Sequence, residues 1–101
     1  MLFKFCVPDT FENIDRVRVL EWHCGETDHV STGDLILELE THKVVIEVRA
    51  AQSGVLRRVL CAEGEWCALG AILAVLGDDE TEALPHDLTA LGDIGVDFQI
   101  A

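Results

Sequence analysis

The sequence predicts an all-β chain, and three observations carry that reading. Six short runs are rich in Val, Ile and Leu, turn signals separate them, and no helical period persists through the body. The third observation is an internal echo. Shifted by 37 residues, "VLEWHCGETDHVSTGDLILEL" (19–39) lies against "LRRVLCAEGEWCALGAILAVL" (56–76). Cys24 meets Cys61, Glu26 meets Glu63, Gly33 meets Gly70 and Leu39 meets Leu76. The matching order of strand, acidic turn, glycine and apolar strand predicts two similar halves folded onto each other.

The elements follow in order. "LFKFCV" (2–7) and "RVRVL" (16–20) are β-type runs, and the Gly- and acid-bearing "HCGETDHVSTGD" reads as turns. "DLILELE" (34–40) and "VVIEVR" (44–49) read as a hairpin that turns at His42-Lys43. That turn pairs Thr41 with Val44, Leu39 with Ile46 and Leu37 with Val48 on one apolar, buried face. The other face pairs Glu40 with Val45, Glu38 with Glu47 and Ile36 with Arg49, and is largely solvated. A slip of one residue would bury Glu38, Glu40 and Glu47, so the register is well specified. "GVLRRVL" (54–60), the turn "LCAEGEW" and "AILAVL" (71–76) complete the body. Residues 1–77 form the folded unit. Residues 78–101 are an acidic tail with spaced apolar residues, expected to be disordered or loosely docked, or to form a short helix over 86–91.

Composition narrows the function. Half of the 101 residues are apolar, enough for a core, and 19 acids against 7 bases give a net charge of −12. Such a surface repels nucleic acid and anionic bilayers. The apolar runs fall short of the roughly 20 residues of a membrane span, and the opening is a poor export signal. The four cysteines are therefore expected as reduced thiols in the cytoplasm, each a small core filler. His23, Cys24, His29, Cys61 and Cys67 show none of the usual zinc spacings, so no metal site is expected. No motif of a catalytic centre is present.

The hairpin turn is chemically unusual. Tight hairpins favour Asn-Gly or Asp-Gly because the preferred turns need positive φ. His-Lys offers no such advantage. The chain has only two lysines, Lys4 and Lys43, against five arginines. A primary amine on a rigid protrusion suits selective acylation, and arginine cannot replace it chemically.

The stretch from Gly33 to Leu76 resembles a lipoyl domain of the biotinyl/lipoyl carrier family, most like those of 2-oxoacid dehydrogenase acyltransferases. Glu40-Thr41-His42-Lys43-Val44 matches the family's E-(T/S)-D-K-(A/V) motif, with His42 in place of the usual Asp. Gly33-Asp34 matches the glycine-acid pair before the hairpin, Gly54 the glycine eleven positions after the lysine, and Val7-Pro8-Asp9 the first strand. Arg49-Ala50-Ala51 replaces the usual P-A-P. The likeness covers about residues 3 to 77.

The resemblance implies a flattened β-barrel, a barrel-sandwich hybrid of two four-stranded sheets with quasi-two-fold symmetry. Lys43 would stand at a hairpin tip, with the chain termini and the turn near Gly77 at the opposite end. It implies a monomeric, non-catalytic carrier that bears lipoate as an amide on Lys43, with Glu40, Thr41, His42, Val44, Gly33 and Gly54 as recognition or hairpin-shaping positions. Its partners would be a lipoate ligase or lipoyl transferase and 2-oxoacid dehydrogenase-type or other acyl-transfer enzymes. Acids around the tip and in "DTFENID" (9–15) would steer docking to basic partners. Biotin is the alternative cofactor, but biotinyl domains flank their lysine with methionine, and Met1 is the only methionine here. An unmodified interaction module of the same fold is the third reading.

Overall fold

The computed structural model describes residues 1–7 and 15–100. Residues 8–14, and with them Pro8-Asp9 and most of the acidic loop singled out above, lie outside the described residues. The described strands are β1 (Leu2–Cys6), β2 (Arg16–Trp22), β3 (His29–Val30), β4 (Leu35–Glu40), β5 (Val45–Ala50), β6 (Gly54–Val59), β7 (Trp66–Ala68), β8 (Ile72–Gly77), β9 (Gly92–Asp93) and β10 (Val96–Ile100). They form two sheets, ordered β3-β6-β8-β1-β9 and β10-β5-β4-β2-β7. The molecule is flattened, 39 × 27 × 21 Å.

The inner faces supply the core. Phe5, Val17, Val19, Leu37, Leu39, Ile46, Val48, Leu56, Leu73 and Leu76 are all essentially inaccessible to solvent. Burying each Val, Leu or Ile contributes about 1.5–3 kcal/mol relative to leaving it exposed.

The hairpin register agrees with the alternation of its residues. Glu40 faces Val45, Leu39 faces Ile46, Glu38 faces Glu47 and Leu37 faces Val48. One pair departs from expectation. Arg49 faces Leu35 and not Ile36, because the register shifts between Leu35 and Leu37. Ile36 is thus the extra residue of a β-bulge, and the bulge lets both Ile36 and Leu37 enter the core. Strict alternation would have left Ile36 on the outer face beside Glu38.

The sheets match under the quasi-two-fold expected from the echo, with β3, β6, β8 and β1 answering to β7, β2, β4 and β5. Their irregularities match too. The bulge at Ile36 answers to one at Leu73, where β1 and β8 shift register, and the bulge at Leu20 answers to one at Arg57.

The sheets hold five strands each where four were expected, and the added strands come from the tail. β9 runs parallel to β1, and β10 runs antiparallel to β5, from Val96 opposite Ala50 to Ile100 opposite Ile46. Alternation drives this docking: Ile94 is buried, while Val96 and Phe98 pack against the core, with the Phe98 ring 6.1 Å from that of Phe5. The helix expected over 86–91 shrinks to a 3-10 turn at Leu88–Ala90, capped by the Asp87 carboxylate, which accepts from Thr89 N. The thiol expectation is also corrected. Cys61 and Cys67 form a disulfide across the 61–67 turn, because that turn folds back and brings them together, while Cys6 and Cys24 are free. No described helix is long and apolar enough to cross a membrane.

Candidate functional site

Residues 41–44 join β4 to β5, and Thr41 closes them. Its backbone N–H donates to the Val44 carbonyl (2.9 Å), and its hydroxyl accepts from the N–H groups of Lys43 (3.1 Å) and Val44 (3.0 Å). The hydroxyl also donates to the Val44 carbonyl at 3.2 Å. Thr41 is the buried polar residue among the described ones, 5% exposed. Its side chain takes the place of a backbone acceptor, a local side-chain turn of the kind Ser and Thr form. This explains the missing glycine: neither His42 nor Lys43 has positive φ, so neither apex position demands a special residue. The two apex side chains are free to be chosen for something else.

Both apex residues are exposed. Among the described residues no ion pair or hydrogen bond engages the Lys43 amine. Lys4 is the contrast. Its side chain is 18% exposed, its Nζ donates to the Leu91 carbonyl, and Asp93 Oδ1 stands 3.4 Å away. Of the two lysines, one is tied down under the tail and the other projects into solvent.

The root of the tip is stiff. Leu39 and Ile46 are buried across from each other just behind it. β5 is hydrogen-bonded on both sides, to β4 and to β10. Glu40 is held by Arg18 of β2, whose Nη2 lies 2.6 Å from Glu40 Oε1.

The structure thus brings Glu40, Thr41, His42, Lys43 and Val44 to one apex. It places Gly33 and Gly54 elsewhere. Gly33 N donates to the carbonyl of Ala50, the last residue of β5. β5 spans six residues from the tip, or about 20 Å at a strand's rise. Gly33 has φ +94°, which favours glycine, and a side chain at Gly54 would meet the Gly77 carbonyl at 2.9 Å. These two glycines shape the hairpin's far end and do not touch the lysine. Gly77 pairs with both Val55 and Leu2, which puts the first residues and the end of β8 together at that far end. The last described residues instead run back towards the tip, with Ile100 opposite Ile46, against the expectation that both termini lie at the far end.

Sequence reasoning missed the neighbours that β2 and β7 deliver. Trp66 faces Arg18, which faces Glu40 in the adjoining strand. The Arg16 guanidinium lies 4.8 Å from the Trp66 ring centroid and that of Arg18 5.8 Å, both in cation–π range. By register Arg16 lies two residues nearer the tip than Arg18. No local signal marks these residues, because the strand pairings that gather them are distant in sequence.

Comparison with known proteins agrees with this geometry. Residues 4–76 match the biotin/lipoyl family described as "Biotin-requiring enzyme". The chain is 39% identical over 72 residues to the dihydrolipoyllysine-residue succinyltransferase component of the 2-oxoglutarate dehydrogenase complex of Staphylococcus saprophyticus, covering 71% of this chain and 17% of that protein. It is 43% identical over 65 residues to the Haemophilus influenzae protein of that name, covering 64% of this chain and 16% of that one. It is 42% identical over 65 residues to the acetyltransferase component of the acetoin cleaving system of Pseudomonas putida, covering 64% of this chain and 18% of that protein. The chain therefore spans less than a fifth of the length of these relatives. The two packed sheets, the hairpin with its apical lysine and the match over residues 4–76 agree, and the chain belongs to the biotin/lipoyl family.

Proposed function

We propose that this chain is a lipoyl carrier domain, with lipoate attached through an amide to Lys43. One observation carries the reading: of two lysine amines, only that of Lys43 has no partner among the described residues, and it stands at the apex of a turn that Thr41 closes without help from either apex side chain. A primary amine is the group such a linkage requires, and losing its proton and charge there costs the fold nothing. Lipoate is favoured over biotin because no methionine flanks Lys43 and because the relatives are named for a dihydrolipoyllysine residue.

Once bound, lipoate supplies the dithiolane that accepts and passes on acyl groups and reducing equivalents. The protein's own contribution is placement. Thr41 and the buried Leu39–Ile46 pair fix the root, so that the arm's motion is confined to its own bonds. Tethering raises the effective concentration of the reactive group at neighbouring active sites. The partners are a lipoate ligase or lipoyl transferase and the acyl-transfer enzymes of a 2-oxoacid dehydrogenase-type system. Glu38, Glu40 and Glu47 lie beside the tip and favour basic docking faces.

Intact mass after exposure to lipoate and a lipoate ligase tests the proposal. The wild-type chain is expected to gain one lipoyl group, mapped by peptide analysis to Lys43, and Lys43→Arg to gain none while unfolding at the same temperature. Addition at Lys4, or an avidin-reactive product in a biotinylating host, would overturn it.

A further inference from the structure

The outer face of the second sheet carries an arrangement that folding alone does not favour. Glu21, Glu38 and Glu47 stand directly opposite one another across β2, β4 and β5. Like charges in facing positions destabilise a sheet. Among the described residues Arg49 answers only the last of them, with Nη2 3.6 Å from Glu47 Oε1. Glu38 sits in the middle of the row with its side chain only 22% exposed, so solvent screens it least. Its partner is His23, whose Nε2 lies 2.7 Å from Glu38 Oε1 and 3.9 Å from Glu21 Oε2.

These three side chains also bring together donors that a cation could share. One ligand atom from each of Glu21, His23 and Glu38 lies within 4.8 Å of the others. Donors of a tetrahedral zinc ion, about 2.1 Å from the metal, stand about 3.4 Å apart. The observed 2.7 and 3.9 Å bracket that spacing, and the two carboxylates lie within 4.8 Å of each other. One imidazole and two carboxylates are ordinary zinc ligands, and water completes the fourth position. The bulge at Leu20 contributes, because its register shift brings Glu21 opposite Glu38.

We infer that Glu21, His23 and Glu38 form a binding site for a divalent transition metal, zinc above all, on the face of the hairpin sheet. The ion neutralises the carboxylate row and ties β2 to β4. Sequence spacing gave no hint of it, because His23 and Glu38 are fifteen residues apart and only strand pairing unites them.

Titration of the intact chain with zinc chloride near neutral pH, followed by amide NMR and thermal unfolding, tests the site. The resonances of residues 21, 23 and 38 are expected to shift first, and the unfolding temperature to rise. His23→Gln and Glu38→Gln are each expected to weaken binding at least about tenfold, as loss of one of three protein ligands does. Cys24→Ser, a change in the free thiol next in sequence, should leave binding unchanged. Glu38→Gln also removes a like charge, so its metal-free form should unfold no earlier than wild type, which separates lost binding from misfolding. No binding at about 100 µM zinc, equal binding by wild type and His23→Gln, or loss of binding in Cys24→Ser overturns the inference.

Discussion

The two halves of the molecule are close copies in backbone and differ at one end. Glu26 accepts from Val59 N, and its counterpart Glu63 accepts from Trp22 N, both at 2.9 Å. Thr27 N donates to the Leu56 carbonyl and Gly64 N to that of Val19, both at 2.7 Å. His23 N donates to Ile36 O and Leu60 N to Leu73 O, both at 2.8 Å. Each pair is related by the 37-residue shift, as are the bulges. Even the bond that closes the lysine turn has a counterpart: Asp78 N donates to Met1 O at 3.1 Å, as Thr41 N does to Val44 O at 2.9 Å. At that counterpart, however, no threonine hydroxyl organises an apex and no lysine projects. The scaffold is duplicated and the lysine-bearing tip is not. What singles out residues 41–44 is therefore side-chain chemistry laid over a shared frame.

Four experiments sharpen or break this comparison, beginning with the largest effect. Cys61 is joined to Cys67, whereas its counterpart Cys24 faces no second cysteine, since position 67 answers to Val30. Burial, with Asp28 and Asp34 nearby, pushes the Cys24 thiol up from 9.0 to about 11. Its alkylation at mildly alkaline pH should run about a hundredfold slower than that of an unburied thiol. A rate equal to that of an unfolded control would mean that the first half opens far more readily than the second.

The next effect concerns the tip. Thr41→Val keeps the shape and removes the hydroxyl, leaving the Lys43 and Val44 N–H groups without their acceptor. A loss of about 1–2 kcal/mol is expected in denaturant unfolding. Slower acylation of Lys43 should accompany it. Unchanged stability would show that the backbone alone holds the turn.

Thr27 and Gly64 occupy equivalent positions at φ 76° and 86°. Thr27→Gly should stabilise the chain by about 1 kcal/mol, and Gly64→Thr should destabilise it by about as much or more. Effects of the same sign would break the equivalence. Smallest of all, Glu26→Gln and Glu63→Gln should each cost about 0.5–1 kcal/mol, because both acceptors are solvent-exposed. Their equality is the informative quantity.

Much of this was legible in the sequence because period-two alternation has one solution where one face is buried. Leu37, Leu39, Ile46 and Val48 fixed the hairpin register, and the echo from 19–39 to 56–76 announced the symmetry. The error at Ile36 arose where alternation stops applying: a bulge advances the chain without turning the next side chain outward. The tail was underestimated because Val96 and Phe98 gain their partner only from β5, some fifty residues back. The disulfide was hidden because its formation depends on how the 61–67 turn folds. At the site, the apical lysine could be read and its neighbours could not. Thr41, His42 and Lys43 are contiguous, whereas Arg16, Arg18 and Trp66 meet only through long-range pairing.

The tail has one more consequence. β9 pairs with Phe3 and Lys4 of β1, and β10 with residues 46–50 of β5, positions that would otherwise lie on open strand edges. The borders of the two sheets are then β3 and β9, two residues each, β7, three, and β10, five. A version cut after Gly77 would lose β10 and present the six residues of β5 as the border in its place, an apolar edge expected to pair with other chains more readily. The last residues thus decide which strand the second sheet presents at its border, and they end on the tip side of the hairpin, with Ile100 opposite Ile46.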